Sequence, residues 1–155
     1  CADCDETSQI GIIGTKVTIK SKSYEALIHQ KRPELQVHGL ACPAFVPLIE
    51  EGIIENEIMD LTIRHYMDNF IRYYKIDTLV LGCTHYPFVK SMISKVLGGD
   101  VLLFDGGEGT AREMKRRLGA SDLLTDKNQK GKVEFINTIP GEEKINLCKN
   151  LFFSK

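Results

Sequence analysis

The chain has 155 residues, 43% of them hydrophobic and 26% charged, a composition that fits an ordinary globular protein long enough for one core. Its 20 basic and 21 acidic residues leave a net charge of -1, which removes the electrostatic case for nucleic acid or an anionic membrane as partner and points to a small ligand. No run approaches the roughly 18 consecutive apolar residues of a membrane span, the first residues are polar and acidic where a signal peptide is basic and then apolar, and five irregularly spaced cysteines argue against a disulfide framework. These features together suit a cytoplasmic protein with reduced thiols.

Residues 1–9 read as a linker or an end. Cys1 and Cys4 form a lone CxxC, and neither a second CxxC nor an HxxxH completes the roughly four ligands a zinc site needs. A start at Cys instead of Met points to a processed or excised piece. Residues 10–14 (IGIIG) read as a buried strand that runs into TKVTIKSKSYEALIHQ. There Ser21 is the expected N-cap of a helix over 22–30. Thr15 and Thr18 read either as caps or as hydroxyls that, with free amide N–H groups at a strand end, hold a carboxylate. The glycines at 11 and 14 do not make a GxGxxG, so no dinucleotide site is expected.

Residues 35–40 (LQVHGL) alternate as a strand and empty into ACPAFVPLIEEG. Pro43 and Pro47 make this a rigid, interrupted segment beside a cleft, Cys42 reads as a small packed residue, and Glu50 and Glu51 read as a solvated pair unless context promotes one of them. From 55 to 74, Met59, Ile63, Met67, Phe70 and Tyr74 recur at intervals of three and four, the stripe of a long amphipathic helix packed on a sheet. His65 falls among polar neighbours in it and is assigned no function. The helix hands over to TLVLGCTHYP, residues 78–87, completing a βαβ unit with an expected right-handed crossover.

In TLVLGCTHYP a buried strand, Leu79-Val80-Leu81, ends in a tight turn at Gly82 that delivers Cys83, Thr84 and His85 to the strand's carboxyl end. Ligands of open α/β sheets bind outside such ends. A thiol two residues from an imidazole at that place is a candidate reactive centre, because the thiolate is the reactive form and a nearby His can generate or stabilise it. Beyond it, 87–97 reads as a helix opened by proline, 101–104 as another buried strand, and DGGEGTAREMKRRLG as a helix whose glycine-rich start can cradle an anion. The cations Lys115, Arg116 and Arg117 read as a solvated face near the helix's carboxyl end. Residues 120–132 form a polar connector, 133–137 a short strand and 140–153 a helix.

Three strings, IGIIGTxxTIxSxxY, ACPxFVPLxE and GCTHYP, in this order and in these strand contexts, together resemble the second half of a bacterial glutamate racemase, within the aspartate/glutamate racemase superfamily. The resemblance runs from about Ile10 to the last helix. It implies an α/β fold, a parallel sheet flanked by helices, as one of two pseudo-symmetric domains facing each other across a cleft. It further implies an α/β racemase domain over 10–119 carrying the second catalytic Cys, and a connector, strand and helix over 120–155 that return to the other domain.

The activity implied is interconversion of L- and D-glutamate without pyridoxal phosphate or metal, supplying D-glutamate for peptidoglycan. One group cannot readily reach both faces of the α-carbon, so two thiols stand on opposite sides, one as base and one as acid. By motif position Cys83 is the one that takes the proton from L-glutamate. His85 assists it by favouring thiolate or shuttling charge, and Glu50 matches the family's active-site Glu while Glu51 matches nothing. Thr84, Thr15 and Thr18 match groups that hold the substrate.

The family's first half, with its DSG turn and the CNT motif of the first catalytic Cys, is absent, and Cys1 and Cys4 lack the Asn-Thr and the preceding strand that would replace it. The chain alone is therefore expected to be inactive. Its implied partners are glutamate and the missing N-terminal half, with a homodimer as one open assembly. Three other readings stand beside this one: an aspartate or other amino-acid racemase of the same superfamily, a non-catalytic amino-acid-binding module of that fold, and a Cys–His hydrolase. The last lacks an evident third orienting group or oxyanion turn.

Overall fold

The computed structural model describes residues 8–125, 131–139 and 141–153. The chain divides into two compact units, Cys1–Gly106 and Gly107–Lys155. The first contains β1 (Gln9–Gly14), α1 (Lys16–Ser21), α2 (Ser23–Lys31), β2 (Gln36–Ala41), α3 (Phe45–Glu50), α4 (Glu57–Tyr74), β3 (Thr78–Leu81), a 3-10 turn (Tyr86–Val89), α5 (Lys90–Leu97) and β4 (Leu102–Asp105). The second contains α6 (Gly107–Ala120) and α7 (Glu142–Phe153).

The strands form a single parallel sheet in the order β2-β1-β3-β4. Its two central strands are the most apolar runs in the chain and the most buried: all of β3, and all of β1 after Gln9. Continuous rather than alternating apolarity is what a strand covered on both faces requires. On one face Ile10, Ile12 and Val80 pack with Ile28 of α2 and with Leu35. On the other, Gly11 leaves room for Leu79, Phe70 of α4 and Ile76, each of which would lie within 3.1 Å of a β-carbon there.

Helix α4 follows its apolar stripe. Asn56 caps it by accepting from the Met59 N–H at 3.0 Å, and Met59, Ile63, Met67 and Phe70 are its buried positions. It ends where Lys75 turns left-handed, at φ 51°. At the amino edge of the sheet, the Asp77 carboxylate fastens β1 to β3 by accepting from Ser8 N at 2.9 Å, Ser8 Oγ at 2.8 Å and Gln9 N at 3.0 Å.

Three local expectations are corrected. Ser21 does not cap a helix over 22–30; a first helix, α1, already fills 16–21, capped by Thr15, and Lys22 in the left-handed region at φ 53° separates it from α2. Pro87 lies in a 3-10 turn, and the regular helix begins at Lys90. The segment 133–137 is not a strand: among the described residues no strand pairs with it to take its backbone hydrogen bonds, and Phe135 instead meets Phe152 and Phe153, at centroid distances of 5.5 and 6.1 Å. Helix α6 groups with this second unit instead of with the sheet, and neither α6 nor α7 buries a residue. The CxxC of Cys1 and Cys4 lies outside the described residues.

Candidate active site at the carboxyl edge of the sheet

The carboxyl ends of the strands converge. Register sets Ile13 of β1 beside Leu81 of β3. Beyond this pair Gly82 N donates to Ile13 O at 2.8 Å, and Cys42 N donates to Gly14 O at 3.0 Å. Thr15, Cys42 and Cys83 therefore leave the sheet side by side, from three adjacent strands. Gly82 is there for closeness: a β-carbon on it would stand 2.9 Å from the carbonyl oxygen of Ile13, 3.3 Å from the Tyr24 ring and 3.4 Å from Ile12.

After Gly82 the chain makes two local backbone bonds, Tyr86 N to Cys83 O at 3.2 Å and Phe88 N to His85 O at 3.1 Å. They leave Cys83 and His85 half-buried and Thr84 exposed. His85 Nε2 meets Glu50 Oε1 at 2.7 Å, and its Nδ1 lies 3.5 Å from Thr84 Oγ1, the outer limit of a hydrogen bond. An ionised carboxylate only accepts, so Nε2 donates to Glu50 and Nδ1 is left as the acceptor. Glu50 thus selects the tautomer and fixes the ring plane.

Four of the six residues singled out from the sequence are gathered here: Cys83, Thr84, His85 and Glu50. Thr15 and Thr18 bond chiefly to one another. Thr15 Oγ1 accepts from Thr18 N at 3.2 Å, and the two hydroxyls are 2.9 Å apart. Thr15 thereby caps α1, which contains Thr18, at the end of β1, the strand next to the one that carries Cys83. Glu51 follows α3 and takes no part.

What the sequence reading missed is the aromatic support beneath the pair. Buried Tyr86, next to His85, donates through its hydroxyl to the Cys42 carbonyl at 2.9 Å. Phe45 stands edge-on to both Tyr86 and Tyr66, with centroids 5.1 and 5.4 Å away, and Ala44 N donates to the Tyr66 hydroxyl at 3.3 Å. Helix α3 is therefore held against the Cys83 turn at its start by Tyr86 and at its end by the Glu50–His85 bond. Phe45, Tyr66 and Tyr86 belong to three different elements, so no local spacing signalled the cluster.

The other thiols differ in kind. Burial pushes the Cys42 thiol up to about 12, so it is a packed group and no base. Cys148 is half-buried on α7, in the second unit. Two surface concavities of the first unit, of about 590 and 520 Å³, lie beside Asn56 and Lys95 and beside Tyr66 and Tyr73, and neither includes Cys83. Among the described residues no group of three potential ligands could hold a metal ion, and no helix is long and apolar enough to cross a membrane.

Sheet and site together define a thiol-bearing α/β domain that presents Cys83 and a hydrogen-bonded His–Glu pair at the carboxyl ends of parallel strands. No protein-family model matches the sequence, but individual relatives do. A glutamate racemase of Geobacter metallireducens is 42% identical over 135 residues, 86% of this chain and 50% of its own length. The crystal structure of the Francisella tularensis glutamate racemase in complex with D-glutamate superposes with a TM-score of 0.72 at 35% identity, over 80% of this chain and 46% of that one. The enzyme of Campylobacter jejuni gives 0.77 at 29% identity over 97% and 58%. The chain belongs to the glutamate racemase family. It spans about half the length of the curated relatives it matches.

Proposed function

We propose that this chain supplies one face of a cofactor-independent glutamate racemase site, in a cytoplasmic enzyme that provides D-glutamate for peptidoglycan. The observation that carries the reading is the 2.7 Å bond from His85 to Glu50 on the turn that bears Cys83. In L-glutamate the α-hydrogen is removed by the Cys83 thiolate: an S–H bond forms, the C–H bond breaks, and its electron pair stays on the α-carbon, spread into the carboxylate. A thiol on the opposite face then donates its proton to that carbon and is left as thiolate, so the product is D-glutamate and nothing is oxidised or reduced. The acceptor Nδ1 of His85 is the group suited to withdraw the proton from Cys83, and Glu50 stabilises the imidazolium that results. Thr84, Thr15 and Thr18 offer hydroxyls to the substrate's polar ends.

The opposing thiol is expected in the complementary half, since Cys42 is buried and lies on the same sheet edge as Cys83. Racemisation of L-glutamate, followed by optical rotation together with exchange of the α-proton in D2O, tests the reading on the chain alone and on the chain joined to the complementary half of a relative. The joined protein is expected to be active, the chain alone inactive, and Cys83→Ala in the joined protein to lose about 10²–10⁴-fold, the scale of a positioned acid–base group. Undiminished exchange in that variant would sink the assignment. Tight glutamate binding without any exchange would favour a binding module instead.

A further inference from the structure

We propose that Lys90 and Asp105 form a clasp that positions the Cys83–His85 turn, an inference whose catalytic consequence rests on the function proposed above. The turn is an excursion from the sheet with both ends fixed to one residue. At its start Leu81 lies beside Asp105 in the β3–β4 register. At its return Lys90 Nζ donates to Asp105 Oδ2 at 2.8 Å.

Charge explains why the second tie matters. Lys90 stands in the first turn of α5, where a cation opposes the helix dipole, and that turn contains no acidic residue of its own. Asp105 supplies the missing negative charge from the neighbouring strand. Between the ends, the two backbone bonds of the turn are both at the long end of the N–H···O range, so the turn relies on outside ties: the Tyr86 and His85 bonds to the α3 segment in its interior and the clasp at its return. The two side chains are 42% and 20% exposed. Water therefore screens the pair, whose effect is local and too small to hold the domain folded.

Lys90 and Asp105 are positioning residues in this account, acting on Cys83 and His85 through the 3-10 turn. The test uses Lys90→Met, Asp105→Asn and the conservative Lys90→Arg in this chain. It reads amide hydrogen exchange at Tyr86 and Phe88, the pH profile of Cys83 alkylation by iodoacetamide, the His85 imidazole titration by NMR, and thermal melting. Removing either charge is expected to accelerate exchange at the two amides about two- to fivefold, the range of a partly exposed ion pair. It should also displace the alkylation profile and the His85 titration and leave exchange in β1 and β3 as it was. Lys90→Arg is expected to restore the parent values. In the protein joined to its complementary half, Lys90→Met should lower kcat for glutamate while KM stays near the parent value.

The clasp is overturned by unchanged exchange and alkylation, by a loss spread evenly over the sheet amides, by failure of Arg to restore, or by failure of both charge-removing variants to fold. The exchange, alkylation and titration readings need no glutamate. A parent protein that does not racemise would therefore refute the proposed function while these readings still decide the clasp.

Discussion

Replacing Gly82 by Ala isolates the close approach on which the Cys83 turn depends. The added carbon would stand 2.9 Å from the Ile13 carbonyl oxygen, against 3.4 Å or more for an ordinary contact, and this neighbour is backbone that cannot rotate away. The end of β3 must then lift from β1 by about half an ångström, straining the Gly82 N to Ile13 O bond that now measures 2.8 Å. Overpacking costs about 1–3 kcal/mol and a weakened backbone bond about 1 kcal/mol. A loss of about 2–4 kcal/mol lowers Tm by roughly 10–25 °C in a unit of this size. Gly39→Ala is the comparison: its closest contact, also tight at 3.0 Å, is a methyl of Ile19, a half-buried side chain on α1, where the corresponding contact of Gly82 is backbone. Thermal unfolding by far-UV circular dichroism, with calorimetry, should therefore rank Gly82→Ala well below Gly39→Ala, and faster native-state alkylation of Cys83 should accompany the former. Equal melting points for Gly82→Ala and the parent would refute the packing argument outright.

Two further outcomes follow from the titrating groups. Because burial holds the Cys42 thiol at about 12, iodoacetamide at pH 8 should label Cys83 in the native chain and spare Cys42, which reacts on adding denaturant; mass mapping of labelled peptides checks this. At Asp77, burial favours the protonated acid, but the donors from Gln9 and Ser8 outweigh it and hold the carboxyl below its ordinary 3.8. A carboxyl lowered by folding contributes stability above about pH 4 that is lost as the pH falls below that value. Asp77→Asn should lower Tm at pH 7 and flatten the acid limb of Tm against pH, the difference between the two proteins shrinking as the pH falls through the lowered folded-state pKa.

How much of this was readable in advance varies by element. The buried strands and α4 were legible because each depends on its own short run of residues: continuous apolarity for β1 and β3, a stripe at three and four for α4. Helix α1 was hidden by Val17, Thr18 and Ile19, a β-branched run that opposes helix and that the Thr15 cap overrides. The expected strand at 133–137 has the alternating pattern but, among the described residues, no partner, and pattern alone does not make a ladder. Gly82 was legible as a turn residue, yet its role is steric, since its φ is not positive. At the site, GCTHYP marked Cys83 as a residue at a strand's end from its own neighbours. His85 stood out by its spacing to Cys83, but its contact with Glu50, 35 positions away, obeys no spacing rule, and only the family resemblance promoted Glu50. Lys90 with Asp105, and Tyr86 with Cys42, were invisible for the same reason.

The central place of β1 bears on how the site comes into being. Its partners lie far along the chain on one side: Gln9 meets Asp77 across 68 positions, and nothing local can stand in for β3. Closing a loop of that length costs entropy before any contact repays it. The Thr15 corner needs only α1 and β2, whereas its juxtaposition with Cys83 requires the long-range pairing of β1 with β3. Without β3 the apolar edge of β1 would be left open, and the three donors gathered by Asp77 sit where that edge is closed.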